Sequence, residues 1–382
     1  MVGGSELAYR LLARRHGAEL CYTPMIKPED WFRPGGGVAL LERHHAADSP
    51  LVAHFGGNDP KQLLACAARA QHCAGVAAVD LNLGCPQRSA HSGYFGAFLC
   101  TTPADRELVL TIVSTLARGL VVPVFCKIRL LDEGLEATID FCRQLAAAGC
   151  ALIAVHGRYR GSPMHRRDGP AHLDQVRAIK EASLPVPVLT NGNVRSPEEM
   201  VAALEMTGAD GVMSAEGALD DPAIFGRATC WASAERRRLK QLVRSAKALR
   251  RARAERALCP AEKAVVRGRQ EAKARLERLP RLPKVVAASA IGGDGAFEWQ
   301  SAPLDLADQY VELAAAHPPP GGKEALSTHA IFHVRRLAKL PLTRFELMPR
   351  LEACTDLDAI RDVRRRPSTP HLFLSTSSLA QS

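Results

Sequence analysis

The sequence predicts an α/β fold built on a parallel sheet, and three observations predict it. Seven short apolar runs recur between residues 20 and 214, rich in Val, Ile and Leu and continuous rather than alternating, as strands buried on both faces should be. Segments of helical pattern fill the intervals between them. Gly149 and Gly208 stand where helices should stop, each just before the next run. A repeat of this kind builds either an open doubly wound sheet or a closed (β/α)8 barrel.

In chain order, a helical pattern from Ser5 to His16 comes first, with no strand before it. The runs follow: Leu20–Thr23, Leu51–Phe55, Ala78–Leu83, Val122–Ile128, Ala151–Val155, Val186–Thr190 and Gly211–Ser214. Ser196-Pro197-Glu198-Glu199 supplies a helix start: a capping hydroxyl, a first-turn proline and two carboxylates at the positive end of the helix dipole. Seven strands are one short of a barrel, so the expectation is a barrel whose opening strand is missing from this chain. Past residue 232 the texture changes. An Arg/Ala/Leu stretch, 236–256, places Leu239, Val243, Ala246 and Leu249 near helical spacing, and Pro280, Pro283 and Gly292-Gly293 break it. Helical patterns over Leu304–Ala316, 324–339 and 343–364 precede a Ser/Thr-rich tail. The expected domains are a barrel over 1–232, a basic, partly helical or disordered insertion over 233–303, a small helical domain over 304–366 and a disordered tail over 367–382.

Composition narrows the class. At 382 residues, with 47% hydrophobic and 24% charged, the chain reads as a globular protein with ample core. It holds no run of about 18 uncharged apolar residues and opens without a leader pattern, so the expectation is a cytoplasmic protein, nuclear or organellar sites remaining open. Eleven scattered cysteines, without a C-x-x-C pair, read as mostly reduced and buried, with no metal site. The net charge of +10 is concentrated: residues 235–284 hold 18 Lys or Arg against 5 Asp or Glu, a net of +13, which leaves −3 for the remainder. Such a block suggests a polyanionic partner or a solvated charge run.

In a parallel α/β fold the chemistry gathers where strands end. The residues there are Asn82 and Cys85; Lys127 and Arg129; His156 and Arg158; Asn191, Gly192 and Asn193; and Ala215, Glu216 and Gly217. This is a rim of cations and amides with one thiol. Each of the last two loops puts a glycine close behind its strand, where barrels bind phosphate on bare N–H groups. Lys127 either reaches solvent or holds an anion in the barrel mouth. His156 and Arg158 suit phosphate or nucleic acid. Nothing near Cys85 in sequence supplies a base that would make it a nucleophile.

The stretch Val79-Asp80-Leu81-Asn82-Leu83-Gly84-Cys85-Pro86-Gln87 resembles the signature of tRNA-dihydrouridine synthases. The resemblance runs in order through Ser5-Glu6-Leu7-Ala8, Tyr22-Thr23-Pro24-Met25, Asn58-Asp59-Pro60, Cys126-Lys127-Ile128-Arg129, Val155-His156-Gly157-Arg158, Asn191-Gly192-Asn193 and Gly211–Gly217, covering residues 1 to about 230. Gly93–Leu99 and the Ser-Ala-Glu-Gly ending are most similar to the eukaryotic branch that acts on uridines 16 and 17 of the tRNA D-loop. The resemblance implies a (β/α)8 TIM barrel carrying FMN, a helical C-terminal tRNA-binding domain, NADPH as reductant and a monomer. It makes Cys85 the acid that protonates uracil C5, a task suited to a thiol whose reference pKa is about 8.5. By the same resemblance Asn82, Arg129 and Arg158 face the substrate, with Asn82 on the uracil edge. Met1, His54, Lys127, His156, Asn191, Gly192, Asn193, Ala215, Glu216 and Gly217 face the flavin and its phosphate. His54 stands where relatives commonly carry a glutamine that donates to the flavin ring, and Gly93 and Gly96 are expected to let their loop lie close to a flat substrate. Two other readings are a tRNA-binding protein without flavin and an FMN barrel that reduces free pyrimidines. The basic block and the C-terminal helices count against the latter, since a free base needs neither.

Overall fold

The computed structural model describes residues 4–33, 36–42, 45–161, 169–252, 260–280 and 303–365. Seven strands form one parallel sheet: β1 (Cys21–Tyr22), β2 (Leu51–Phe55), β3 (Val76–Leu83), β4 (Val124–Leu130), β5 (Cys150–Tyr159), β6 (Val188–Asn191) and β7 (Gly211–Met213). Their spatial order is their chain order. That order decides between the two architectures. A doubly wound sheet reverses direction at its middle and carries helices on both faces. Here every crossover steps the same way, and right-handed crossovers that never reverse keep the helices outside and the other face inside. The chain is therefore a barrel wall, open between β7 and β1 among the described residues.

Alternation along each strand divides the two faces. On β4, Val124, Cys126 and Ile128 are buried in the apolar layer shared with the surrounding helices, whereas Lys127 and Arg129 line an interior cavity. The same split puts Val79, Leu81 and Leu83 outward and Asn82 inward on β3. The strands are thus continuous apolar runs only at their beginnings; toward their C-terminal ends the inner positions turn polar. Helix boundaries follow local chemistry. Ser196 accepts from the Glu199 N–H at 3.2 Å and caps the helix Pro197–Thr207, which ends on Gly208 in the left-handed region, φ 62°.

Beyond β7, the helix Ile224–Ala252 runs without a break across residue 232. Its buried residues Ile224, Ala228, Ala232 and Leu239 join Met200 and Val201 of Pro197–Thr207 and Ala272 and Leu279 of the basic region in one apolar cluster. Arg237, Lys240, Arg244 and Lys247 recur at helical spacing on its exposed side and make no ion pair with any described residue. The helices Pro303–Ala316 and Gly322–Leu337 share the barrel's own core, through Ala307, Tyr310, Ala330 and Val334. The helix expected over 343–364 is three short ones, Lys339–Arg344, Met348–Glu352 and Leu357–Arg365. Pro349 opens the second, and Glu346 before it is held at φ 53°. No described helix is long and apolar enough to cross a membrane. Met1, residues 253–259 and 281–302 of the basic insertion, and the tail 367–382 lie outside the described residues.

Candidate active site

Parallel register gathers the rim. Arg129 is paired with His156, His156 with Asn191 and Asn191 with Met213, so these side chains project from one row of the wall. Asn82 is likewise registered with Lys127, and His54 with Asp80. His54, Asn82, Cys85, Lys127, Arg129, His156, Asn191 and Ala215 all line a cavity of about 810 Å³. Gly192, Asn193, Arg158, Glu216 and Gly217 do not line it.

Cys85 follows β3 by two residues. Its N–H, with that of Gly84, donates to the Asn82 side-chain oxygen, each at 3.1 Å, and its carbonyl accepts from the Ala97 N–H at 3.1 Å. Gly96 lies directly on this turn at φ +65°; a Cβ there would stand 2.8 Å from the Cys85 carbonyl oxygen and 2.9 Å from its Cβ. The glycine expected to face a flat substrate instead clamps the thiol's own backbone. Arg129 donates to the Gly84 carbonyl at 2.9 Å and holds the other side of the turn. The thiol itself, half-buried, has no hydrogen-bond partner among the described residues.

Three cations lie at this thiol and its neighbours, and among the described residues none of them makes an ion pair, although the Asp80 carboxylate acts on Lys127 through space. Lys127 makes no hydrogen bond or ion pair with any described residue; burial, reinforced by Arg129, brings its ammonium down to about 8. Among the described residues Arg129 and Arg158 bond only to neutral groups, Arg158 reaching the carbonyl of Gly169, the side-chain oxygen of Asn193 and Nε2 of His156 at 3.0 Å. A guanidinium only donates, so His156 Nε2 accepts and its proton sits on Nδ1. Burial first, then Lys127, Arg129 and Arg158, push the His156 imidazolium down to about 2, which keeps the ring neutral. A buried set of this sign suits an anion.

His54 and Asn82 are engaged with the protein rather than facing outward. His54 Nδ1 lies 2.7 Å from a carboxylate oxygen of Asp80, which is wholly buried, and its Nε2 lies 3.3 Å from the Asn82 amide nitrogen. That nitrogen also donates to the Met25 sulfur at 3.2 Å, so both ends of the Asn82 amide are saturated. Neither residue keeps a free group for the role the resemblance implies. Asp80 was the signal to follow: one acid inside a buried strand, two residues before Asn82 and hence on its face, must have a partner.

At the far side of the rim, Asn191 donates to the Met213 carbonyl at 2.8 Å and ties β6 to β7. Gly192 sits at φ +112° against His156, where a Cβ would come 3.0 Å from Cδ2, and Asn193 follows at φ 57°. A Cβ on Gly217 would lie 2.3 Å from the Val194 carbonyl oxygen, so the two loops touch backbone to backbone. Glu216 turns away from the cavity to the C-terminal helices, where Arg336 meets its carboxylate and that of Asp220, each at 2.8 Å. Among the described residues no group of His, Cys, Asp and Glu is placed to hold a metal ion.

The chain was compared with known proteins. A family model described as "Dihydrouridine synthase (Dus)" matches residues 1–267. The Mus musculus protein named "tRNA-dihydrouridine(16/17) synthase [NAD(P)(+)]-like" is 40% identical over 242 residues, 62% of this chain and 49% of that one. The Saccharomyces cerevisiae "tRNA-dihydrouridine(16/17) synthase [NAD(P)(+)]" is 37% identical over 238 residues, 59% of this chain and 52% of that one. A Homo sapiens protein named "tRNA-dihydrouridine(20a/20b) synthase [NAD(P)+]-like" is 38% identical over 228 residues, 59% of this chain and 68% of that one. The chain spans about half the length of the 16/17 relatives it matches.

Proposed function

From the premise that the chain belongs to the dihydrouridine synthase family, we propose that it reduces the C5–C6 double bond of a D-loop uridine in tRNA, with FMN as its flavin, NADPH as reductant and Cys85 as proton donor. The observation that carries this reading is the Cys85 thiol on the wall of an 810 Å³ cavity that Lys127 and Arg129 also line, neither in an ion pair with any described residue. The cavity is large enough for a bound cofactor. Lys127, with Arg129 and Arg158 behind it, gives the charge that a phosphate or an anionic flavin ring requires, so the residues fit FMN. Lys127, His156, Asn191 and Ala215 would hold it; when bound, it supplies the hydride that uracil C6 receives.

The chain's own residues account for the rest. The Cys85 S–H gives its proton to C5, completing the two-electron, two-proton-equivalent reduction of the double bond. The thiolate left behind lies within electrostatic reach of Lys127 and Arg129, which favour it until solvent returns a proton. The base must leave its stack to enter the cavity, at a cost of a few kcal/mol that an irregular loop lowers. The test is NADPH consumption by flavin-loaded protein offered unmodified tRNA, free uridine or uracil. Turnover with tRNA alone supports the proposal; turnover on free base replaces it with a pyrimidine reductase, and protein that stays colourless with excess FMN removes the redox role.

The basic helix extends the proposal to the polynucleotide. Arg237, Lys240, Arg244 and Lys247 stand on the exposed side of a helix fixed to the barrel by its apolar face, without an ion pair to any described residue. Each phosphate contact adds about 0.7 to 0.9 to the slope of log affinity against log salt. Replacing all four by glutamine is expected to lower that slope for tRNA by about 3, read by filter binding across a salt series, with turnover at saturating tRNA unchanged. An unchanged slope places the RNA elsewhere.

A further inference from the structure

We infer that Asp80 and His54 are positioning residues for the thiol, acting through Asn82. This rests on the assignment of Cys85 as proton donor and adds a chain of groups that sets where the thiol stands. The chain has four members: the buried Asp80 carboxylate, His54 Nδ1 at 2.7 Å, the Asn82 amide nitrogen at 3.3 Å from His54 Nε2, and the Gly84 and Cys85 N–H groups, each at 3.1 Å from the Asn82 oxygen.

The direction of every hydrogen bond in it is determined. Two backbone N–H groups converge on one end of the Asn82 amide, and backbone N–H only donates, so that end is the oxygen. The NH2 end therefore faces His54, whose Nε2 must accept, and the ring proton must sit on Nδ1. The group facing Nδ1 is a carboxylate oxygen, which accepts. Asp80 thus selects the tautomer, the tautomer selects the orientation of the amide, and the amide holds the turn that presents Cys85. The other Asp80 oxygen is buried with no hydrogen-bond partner, so His54 is the group through which this carboxylate acts. Gly96 and the Ala97 N–H close the turn from the opposite side, and the Asn82 oxygen supports it from within beside Arg129, which holds the Gly84 carbonyl.

An apolar wall would serve packing alone. A carboxylate with no exposed surface, in the middle of a strand, is justified by the polarity it imposes on its neighbour. A thiol that must reach one carbon of a bound base is sensitive to its placement, since displacements of about 1 Å cost up to about a hundredfold.

Asp80→Leu tests the inference. A leucine offers Nδ1 no acceptor, so nothing selects the tautomer whose Nε2 accepts from the Asn82 NH2 group. Two readouts follow. Dihydrouridine formation at saturating tRNA is expected to fall by about tenfold or more, with KM for tRNA within about twofold of wild type. Without flavin or tRNA, the rate at which iodoacetamide alkylates Cys85, followed on its peptide by mass spectrometry, is expected to change at least about threefold, with the exposed Cys230 as internal standard. His54→Phe should do the same, and His54→Gln, which restores one acceptor and one donor, should return both readouts to within about threefold of wild type. Wild-type alkylation and turnover in Asp80→Leu or in His54→Phe overturn the inference. So does a Gln variant as impaired as Phe, which would make His54 a packing residue. If Asp80→Leu fails to fold, the two His54 variants decide alone. The alkylation assay needs no reaction, so altered Cys85 labelling in a protein that forms no dihydrouridine would sink the reaction and leave the positioning intact.

Discussion

Cys85→Ala is expected to reduce dihydrouridine formation by about 10² to 10⁴-fold, the range a positioned general acid contributes. The variant isolates chemistry from structure because position 85 serves the fold only through its backbone. The N–H donated to Asn82 and the carbonyl that accepts from Ala97 survive in alanine, and the thiol gives up no hydrogen bond with any described residue. FMN content, tRNA affinity and thermal midpoint should stay at wild-type values, and NADPH should still bleach the flavin. Product is read by mass spectrometry of nucleosides from treated tRNA. Wild-type yields in the variant would remove Cys85 from proton transfer and leave Lys127, at about 8, as the next acid to examine on that wall.

Lys127 and Arg129 also show what a sequence discloses about such a site. In Cys126-Lys127-Ile128-Arg129, cations alternate with apolar residues at the end of a strand, and period two puts both on one face. Cys85 was equally plain, since a strand end is where a loop becomes accessible. The seven strands were legible as apolar runs, but their spatial order was not: the pattern allowed a doubly wound sheet or a barrel, and only the pairing of β1 to β7 in chain order separates them. What distance conceals is pairing. His54 meets Asp80 through a register between two strands, and nothing local to Leu51–Phe55 says that both ring nitrogens are spent there. Glu216 ends the β7 loop in a motif that suggested a phosphate cradle, but its partner is Arg336, 120 residues on, from a helix whose docking no local pattern reports. The break at Glu346 was hidden differently: apolar spacing across 343–364 satisfies a helix, and Pro349 reads equally well as a first-turn residue of a new one.

Glu6→Gln is expected to cause the largest loss of stability, because Glu6 joins the barrel to the C-terminal helices through a buried contact. Its carboxylate lies 3.0 Å from His333 Nε2 and accepts from the Tyr310 hydroxyl at 2.8 Å; Glu6, Tyr310 and His333 are all buried. Tyr9 stacks on the His333 ring at 4.8 Å. Burial alone would raise the Glu6 carboxyl; the His333 charge and the hydrogen bonds from His333 and Tyr310 outweigh it and hold the group at about 2. Replacing the carboxylate by an amide is expected to cost about 3 kcal/mol, the amount by which the lowered carboxyl favours folding, and in a protein of this size that lowers the thermal midpoint by roughly 4 °C. The sign of the pH dependence follows from the lowered carboxyl. An unfolded glutamate titrates near about 4.3, so the stabilisation is complete above that pH and is lost as pH falls toward the folded value near 2. The gap between wild type and Glu6→Gln should therefore narrow between pH 5 and pH 2, by about 3 kcal/mol in urea titrations. A gap that stays constant over that interval would assign the loss to packing around the new amide. Because Arg336 also holds Glu216 and Asp220 from the same helix as His333, loosening this contact should release the loop that follows β7 along with the helices. Glu6→Gln should then weaken FMN retention as well as stability, whereas Cys85→Ala should leave both intact.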